Sequence, residues 1–468
     1  MSTEAAREVE VKLGVPDGFV PPHLGSVAGV DHVAVRGLRL RATYWDTADH
    51  RLAHAGMTLR HRTGEGRPRW TLKTASAAST ELDREEISVH ASGTAVPAAL
   101  RDLLTARTRG VDVEPLAQVR TARTTTLLFD ADGQELVEVV DDVVTVLRDG
   151  EEVDGWHELE VEQRDGGAKV AARVLATLRD AGATDVDQTP KGIRALGVLG
   201  SPDLTAAPSL KVAGDLVRAS LALGIKEIVA RDLEVRREVP DGVHQLRVAC
   251  RRLRSDLRTF EVLLADGRLA DLRDELSWVA GELGAARDLE VLRERLHQRA
   301  GEGDRLDVGS VDAVLAAEQA HAEAAALAAL RSPRYVALLE LLHAVAREPR
   351  LSESAQEPAK DVLPDLVAAA ERKLARAVDA LELDGPDDAW HRARIRAKRA
   401  RYAAEALGSK GKDAKRWQTL LGEHQDAAIA ADRLTALGEQ HPSLAVLCGR
   451  LVERERLVIR RVRQQLRG

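Results

Sequence analysis

Up to about residue 200, apolar and polar residues alternate, as in VEVKL, LRATYW, MTLRHR, RWTLK, REEISV, RTTTLLF, ELVEVV, TVLRDG and WHELEVEQ. A period of two is the signature of strands with one apolar and one polar face, and the Gly and Asp residues between them mark turns. One helical stretch over 168–180 interrupts them. Many strands at close spacing predict a barrel-like or sandwich sheet. SPDLTAAPS, at 201–209, reads as a linker. Beyond it, long Ala/Leu/Arg/Glu segments take helical spacing, with breaks at 240–242, 301–309, 349–358, 385–386 and 408–411. The pattern predicts an α+β chain with a sheet domain over 1–200 and an all-α domain over 210–468.

The helical part contains a duplication. HQLRVACRRLR, starting at His244, aligns without gaps onto HRARIRAKRAR, starting at His391. At ~100° per residue, offsets 0, 3, 7 and 10 share one helix face. His244, Arg247, Arg251 and Arg254 form a stripe that Arg258 extends, and His391, Arg394, Lys398 and Arg401 form its twin. Arg252 and Arg399, at offset 8, fall to the side. A row of cations destabilises its own helix. One such row is commonly a solvated face, but a surface stripe has no reason to recur at the same offsets. A second repeat, LGAARD ending at Asp288 and LGEHQD ending at Asp426, places an acid downstream of each stripe, able to orient its arginines. Two related helical bundles facing each other across a pseudo-dyad are implied. Each histidine opens its helix and serves equally well as a ligand or as a partner to a carboxylate or backbone group.

Composition narrows the ligand. Residues 1–200 hold 24 Lys and Arg against 32 Asp and Glu, a net of −8, against −7 for the whole chain. Neither half is strongly basic, so an anion site must come from local arrangement. Aromatics make up 3% of the residues and do not interleave with the stripes, which disfavours nucleic acid read by base stacking. Arginine forks and lysine charges suit bare phosphate oxygens, as in a long inorganic polyanion. The two cysteines, Cys250 and Cys448, form neither a disulfide framework nor a thiolate metal site. No secretory pattern opens the chain, and no stretch reaches the ~18–20 apolar residues of a membrane span, so the expected location is cytoplasmic.

The sheet half pairs charges of both signs on single strand faces. Glu8, Glu10 and Lys12 share a face, as do Arg60 and Arg62, Glu138 and Asp142, and Glu158, Glu160 and Glu162. Lys73 closes WTLK, Arg84 precedes Glu85 and Glu86, and Arg120 and Arg123 flank a Thr-rich strand. A single short charged alternation is commonly a solvent face. The accumulation points elsewhere: with the apolar faces packed outward, the charged faces converge inside a barrel. Such an interior suits a metal-bound phosphate chain, because carboxylates hold Mg²⁺ or Mn²⁺ while cations neutralise phosphate.

Both halves resemble known families on these residues. HxxRVxxRRLRxxLxxF from His244, LGxARDLEVL, the second HxxRxxxKRxRY and LGxxQD resemble the CHAD domain over about 209–468. That resemblance implies two pseudo-symmetric four-helix bundles binding inorganic polyphosphate. Its binding residues would be His244, Arg247, Arg251, Arg254, Arg258, His391, Arg394, Lys398 and Arg401. EVEVK, YWDT, GMTLRHR, WTLK, REE, VEVVDD, ELEVE and PKGIRAL resemble the CYTH domain, or triphosphate tunnel metalloenzyme fold, over about 5–200. It implies an eight-stranded antiparallel tunnel hydrolysing a triphosphate with Mg²⁺ or Mn²⁺. Lys12, Arg60, Arg62, Lys73, Arg84, Arg123 and Lys191 would grip the substrate. Glu8, Glu10, Glu158 and Glu160 would hold metal, with Glu138 and Asp142 as further oxygen donors. The chain departs from the family pattern at Pro190, where a serine usually precedes the lysine, and at Ala122, between Thr121 and Arg123 in a strand that usually carries basic residues two apart. The expected partners are inorganic triphosphate and polyphosphate, with polyphosphate granules a further expectation and no membrane. The alternatives are a non-catalytic polyphosphate scaffold, a thiamine triphosphatase and a class IV-type adenylate cyclase.

Overall fold

The computed structural model describes residues 10–16, 18–75, 84–186, 189–198, 211–300, 307–406, 408 and 411–465, which fall into two units, 1–203 and 204–468. The alternating segments of the first unit form strands β1 (Glu10–Gly14), β2 (His32–Asp46), β3 (Thr58–Thr63), β4 (Arg69–Ala75) and β5 (Arg84–His90). Helix α1 (Ala98–Thr108) precedes β6 (Glu114–Phe129), β7 (Glu135–Arg148) and β8 (Glu151–Gln163). Helix α2 (Ala168–Asp180), β9 (Thr184–Asp185) and α3 (Lys191–Leu196) complete the unit. One antiparallel sheet runs β5-β4-β3-β2-β6-β7-β8-β1-β9. The expected eight strands are thus joined by a two-residue ninth. Among the described residues no ladder joins β5 to β9, so the sheet is not closed.

The apolar faces are covered from outside by helices. Val170, Val174 and Leu178 of α2 pack on Leu13, Val139, Leu159 and Val161. Leu100 and Leu104 of α1 pack on Leu59, Trp70, Leu72 and Ile87. Each fully buried side chain of this size contributes about 1.5–3 kcal/mol. This covering leaves the charged faces to the interior, as the alternation implies.

The second unit is helical: α4 (Ala213–Arg236), α5 (Gly242–Thr259), α6 (Leu269–Ala300), α7 (Gly309–Leu330), α8 (Pro333–Arg347), α9 (Ala359–Asp379), α10 (Asp387–Ala406), α11 (Lys412–Gln440) and α12 (Ala445–Gln465). Helices α4–α7 pack in series, and α9–α12 repeat that series. The cationic helices α5 and α10 are corresponding members and pack together. The two halves share a core, in which Leu289, Leu292 and Leu296 of α6 and Val311 of α7 meet Leu434, Leu437 and Leu451 of α11 and α12. No described helix is long and apolar enough to cross a membrane.

Candidate functional sites

In the first unit the antiparallel register gathers the acids. Asp142 of β7 lies opposite Glu158 of β8 and Arg123 of β6, while Lys12 of β1 lies opposite Glu160. Asp142, Glu158 and Glu160 are all buried, and one oxygen from each lies within 4.8 Å of the others. Three buried carboxylates at this spacing would repel strongly without cations. Lys191 supplies one: its Nζ pairs with Asp142 and lies 2.9 Å from Glu158 Oε1 and 3.0 Å from Glu160 Oε1. Arg123 forks onto Asp142 at 2.8 and 2.6 Å and reaches Glu160 at 3.4 Å, and Lys12 also lies 3.4 Å from Glu160. Burial would raise the Glu160 carboxyl, but Lys191, Lys12 and Arg123 outweigh it and hold the group well below the usual range. Burial opposes the Lys191 charge too, yet the three acids raise that ammonium above its ordinary value.

Lys191 reaches this position because α3 approaches β2 and β3 closely. A Cβ on Gly192 would stand 2.4 Å from the Tyr44 ring and 2.8 Å from Thr58 Cγ2. Glycine is therefore required beside the lysine.

The opposite flank is cationic. Lys73 pairs with Glu86, and Arg60 lies 3.8 Å from the same acid. Arg62 lies 2.9 Å from Glu65. Burial and the Arg60 charge push the Arg62 guanidinium down to about 10, and Arg69 adds a further repulsion. Among the described residues, four cations, Arg60, Arg62, Arg69 and Lys73, thus face two acids, Glu65 and Glu86. A polyanion would relieve that excess, whereas the acid triad offers the oxygen donors that a hard divalent cation takes. The residues present fit such an ion.

Other expected residues fall elsewhere. Glu138 shares a face with Asp142 but pairs with Arg164, which also holds Glu135 at 2.8 Å and Glu162 at 3.0 Å. It does not join the triad, because four strand residues separate it from Asp142 by about 13 Å. Glu10 lies opposite Glu162 in the ladder, with its side chain outside the described residues. The Arg84 side chain and the whole of Glu8 are likewise outside them. The sequence reading passed over Arg69 and Glu86 as site residues, although Arg69 shares a strand face with Lys73, four residues on, and Glu86 lies two residues from Arg84. Arg120 is exposed, on the opposite face of β6 from Arg123.

The second unit holds a cleft of about 780 Å³ between α5 and α10. Arg247, Arg251, Arg254 and Arg258 line it from α5, and Arg394 and Lys398 from α10, with His244 and His391 also at its wall. The expected orienting pairs form: Arg247 lies 3.3 Å from Asp288, and Arg394 lies 3.5 Å from Asp426. The glycine of each LG motif adjoins its arginine, with the Gly284 Cβ position 3.5 Å from Arg247 and that of Gly422 3.8 Å from Arg394. His391 Nδ1 lies 2.8 Å from Gln425 Oε1, while the buried His244 Nδ1 has no hydrogen-bond partner among the described residues.

One stripe member takes partners on its own helix and the next. Arg401 does not line the cleft; it binds Glu405 at 2.6 Å and Gln418 at 3.3 Å. Arg399, which the helical wheel puts to the side, lines it instead. Burial and then Arg258, Arg396 and Arg254 push Arg399 down to about 10. The face turned to the cleft is set by the packing of α10 across α5, which a single-helix wheel does not contain. Lys398 feels the crowding most: burial, Arg394 and Arg251 push its ammonium down to about 6.

Comparison with known proteins gives matches in both units. A family model of the CYTH domain matches residues 6–193, and one of the CHAD domain matches 219–435. The uncharacterized protein MT2285 of Mycobacterium tuberculosis (strain CDC 1551 / Oshkosh) is 33% identical over 93% of this chain and 90% of its own length. Among solved structures, PptA from Streptomyces chartreusis is 27% identical, covering 55% of this chain and 99% of its own at a TM-score of 0.46. The CHAD domain from the plant Ricinus communis is 26% identical, covering 55% and 94%, at a TM-score of 0.47.

Proposed function

We propose a function from the premise that the chain belongs to the family of proteins that join a CYTH domain to a CHAD domain: the first unit hydrolyses a triphosphate, inorganic triphosphate foremost, and the second binds inorganic polyphosphate. CYTH proteins are triphosphate tunnel metalloenzymes. The observation that carries the catalytic reading is the buried triad of Asp142, Glu158 and Glu160 beside a flank with more cations than acids.

Asp142, Glu158 and Glu160 would hold Mg²⁺ or Mn²⁺, which supplies Lewis-acid polarisation of phosphoryl oxygens. Arg60, Arg62, Arg69 and Lys73 would bind the remaining phosphate oxygens and neutralise the charge that gathers on the leaving phosphate. Lys12 and Arg123 carry positive charge to the edge of the triad, so substrate and acids share counter-charges. Burial of these groups strengthens each interaction by excluding water. In the second unit the paired stripes give phosphate oxygens guanidinium forks from both sides. A polymer held there would raise the local concentration of phosphate chains around the protein.

The purified full chain, supplied with Mg²⁺ or Mn²⁺, should release phosphate from tripolyphosphate in preference to thiamine triphosphate and ATP. Absence of release from all three would overturn the enzyme reading, and cAMP formed from ATP would replace it with a cyclase. For the second unit, Arg247→Ala/Arg394→Ala should weaken retention of long-chain polyphosphate on a filter by at least about tenfold, because two charge-assisted contacts are lost. Tripolyphosphate turnover should stay unchanged. Full retention by the double variant would place polymer binding outside the cleft.

A further inference from the structure

The inner face of β8 continues from Glu160 and Glu158 to Trp156, which faces Val144 across the ladder. The indole Nε1 donates to Glu158 Oε2 at 2.7 Å, leaving Oε1 as the oxygen that Lys191 approaches. The ring is itself held: the Arg194 guanidinium lies 4.0 Å from its centroid, and Arg194 Nε lies 3.5 Å from Asp154. Lys191 and Arg194 stand three residues apart on α3, hence on adjoining positions of one face. Helix α3 therefore grips Glu158 twice, directly through Lys191 and indirectly through Arg194 and the indole.

A carboxylate that ligates through one oxygen needs the other fixed, since rotation about its last bond otherwise exchanges the two. Trp156 meets that need with a donor that carries no charge, so it adds nothing to the positive charge already facing the triad. A neutral indole N–H also does not compete with a metal cation for the carboxylates, as the Lys191 ammonium can. We propose that Trp156 is a positioning residue, which fixes Glu158 so that Oε1 is presented to a divalent cation, and that Arg194 holds the indole in the plane this requires. The proposal rests on the metal-dependent reading of the first unit.

The test titrates Mn²⁺ alone into the full chain by calorimetry, and separately tripolyphosphate in the presence of chelator. Trp156→Phe keeps an aromatic ring under Arg194 and removes the donor along with part of the indole's bulk. It should weaken Mn²⁺ binding by roughly 10–100-fold, the usual scale for losing a partner of a metal ligand. Arg194→Ala should weaken it in the same direction by less. Tripolyphosphate affinity in chelator should be unchanged in both, because neither side chain belongs to the cationic flank. Mn²⁺ affinity equal to wild type in Trp156→Phe overturns the proposal. So does a parallel loss of Mn²⁺ and tripolyphosphate binding, which marks a merely structural residue. If Trp156→Phe fails to fold, Arg194→Ala decides by the same criteria. A wild-type chain that binds no Mn²⁺ instead refutes the metal-dependent reading itself, an outcome distinct from wild type and variant binding equally well.

Discussion

Glu160→Gln should lose tripolyphosphate turnover by about 10²–10³-fold, the scale on which removing one preorganised charge partner from a dry site acts. Glu160 is the shared anion of the first unit, lying 3.4 Å from Lys12, 3.0 Å from Lys191 and 3.4 Å from Arg123. Its amide analogue keeps the shape and removes the charge, so the three cations are left with two acids. Breaking a buried pair in this way costs about 3–5 kcal/mol. For a unit of this size the expected fall in Tm is on the order of 10 °C. The carboxyl titrates well below its ordinary 4.5, so its stabilising contribution is full at neutral pH. It is lost only as pH falls through that depressed value. The same deletion raises the net positive charge of the interior, so tripolyphosphate in chelator should bind at least as tightly as to wild type. Weaker binding of tripolyphosphate together with undiminished turnover would contradict this assignment. Calorimetry with chelator and phosphate release with Mn²⁺ separate the two.

Polyphosphate binding by the second unit should weaken with rising pH, by about tenfold per pH unit above 6 from Lys398 alone. In the free protein burial, Arg394 and Arg251 hold this ammonium down to about 6, Asp426 opposes them, and Arg247 adds to the repulsion. A polyanion in the cleft reverses the balance and restores the charge, so binding takes up a proton between pH 6 and the restored value. Lys398→Arg stays charged throughout, so its affinity should show a flatter pH profile. The free protein should respond with the opposite sign. The unfolded chain keeps the lysine proton up to about 10.4, whereas the folded chain releases it near 6. The unfolded state therefore binds more protons across that window, and Lys398 makes stability rise with pH. Asp256, pushed up to about 7 by burial, acts against this below that pH. Denaturant midpoints of wild type and Lys398→Met are best compared at pH 7.5 and 9. A wild-type polyphosphate affinity as flat with pH as that of Lys398→Arg would show that the lysine is charged before the ligand arrives.

Much of both units was legible in the residue pattern. Period two assigns Glu158 and Glu160 to one face and Leu159 and Val161 to the other, whatever the strand packs on, because the pleat forces successive side chains apart. The gapless repeat marks corresponding helices, and with them an acid for the arginines of each stripe; the structure names Arg247 for Asp288 and Arg394 for Asp426. Glu138 illustrates the limit of such reasoning. A strand's period says which face a residue takes, but its distance from another acid depends on ladder register. Register sets Asp142 beside Glu158 and Arg123, and leaves Glu138 beside Glu162 with Arg164.

By itself, then, the sequence determined the two units, the strand faces and the helix faces, since these follow from local periodicity and from duplication. Tertiary structure decided which individual side chains meet. It brought Lys191 into the acid triad by seating α3 against Tyr44, turned Trp156 onto Glu158, and exchanged Arg401 for Arg399 at the cleft. The first joins residues far apart in the chain and the last depends on how two helices cross, and neither is encoded by periodicity along one segment. Trp156 and Glu158 share a face of β8 by period two, and packing decides only that their side chains meet.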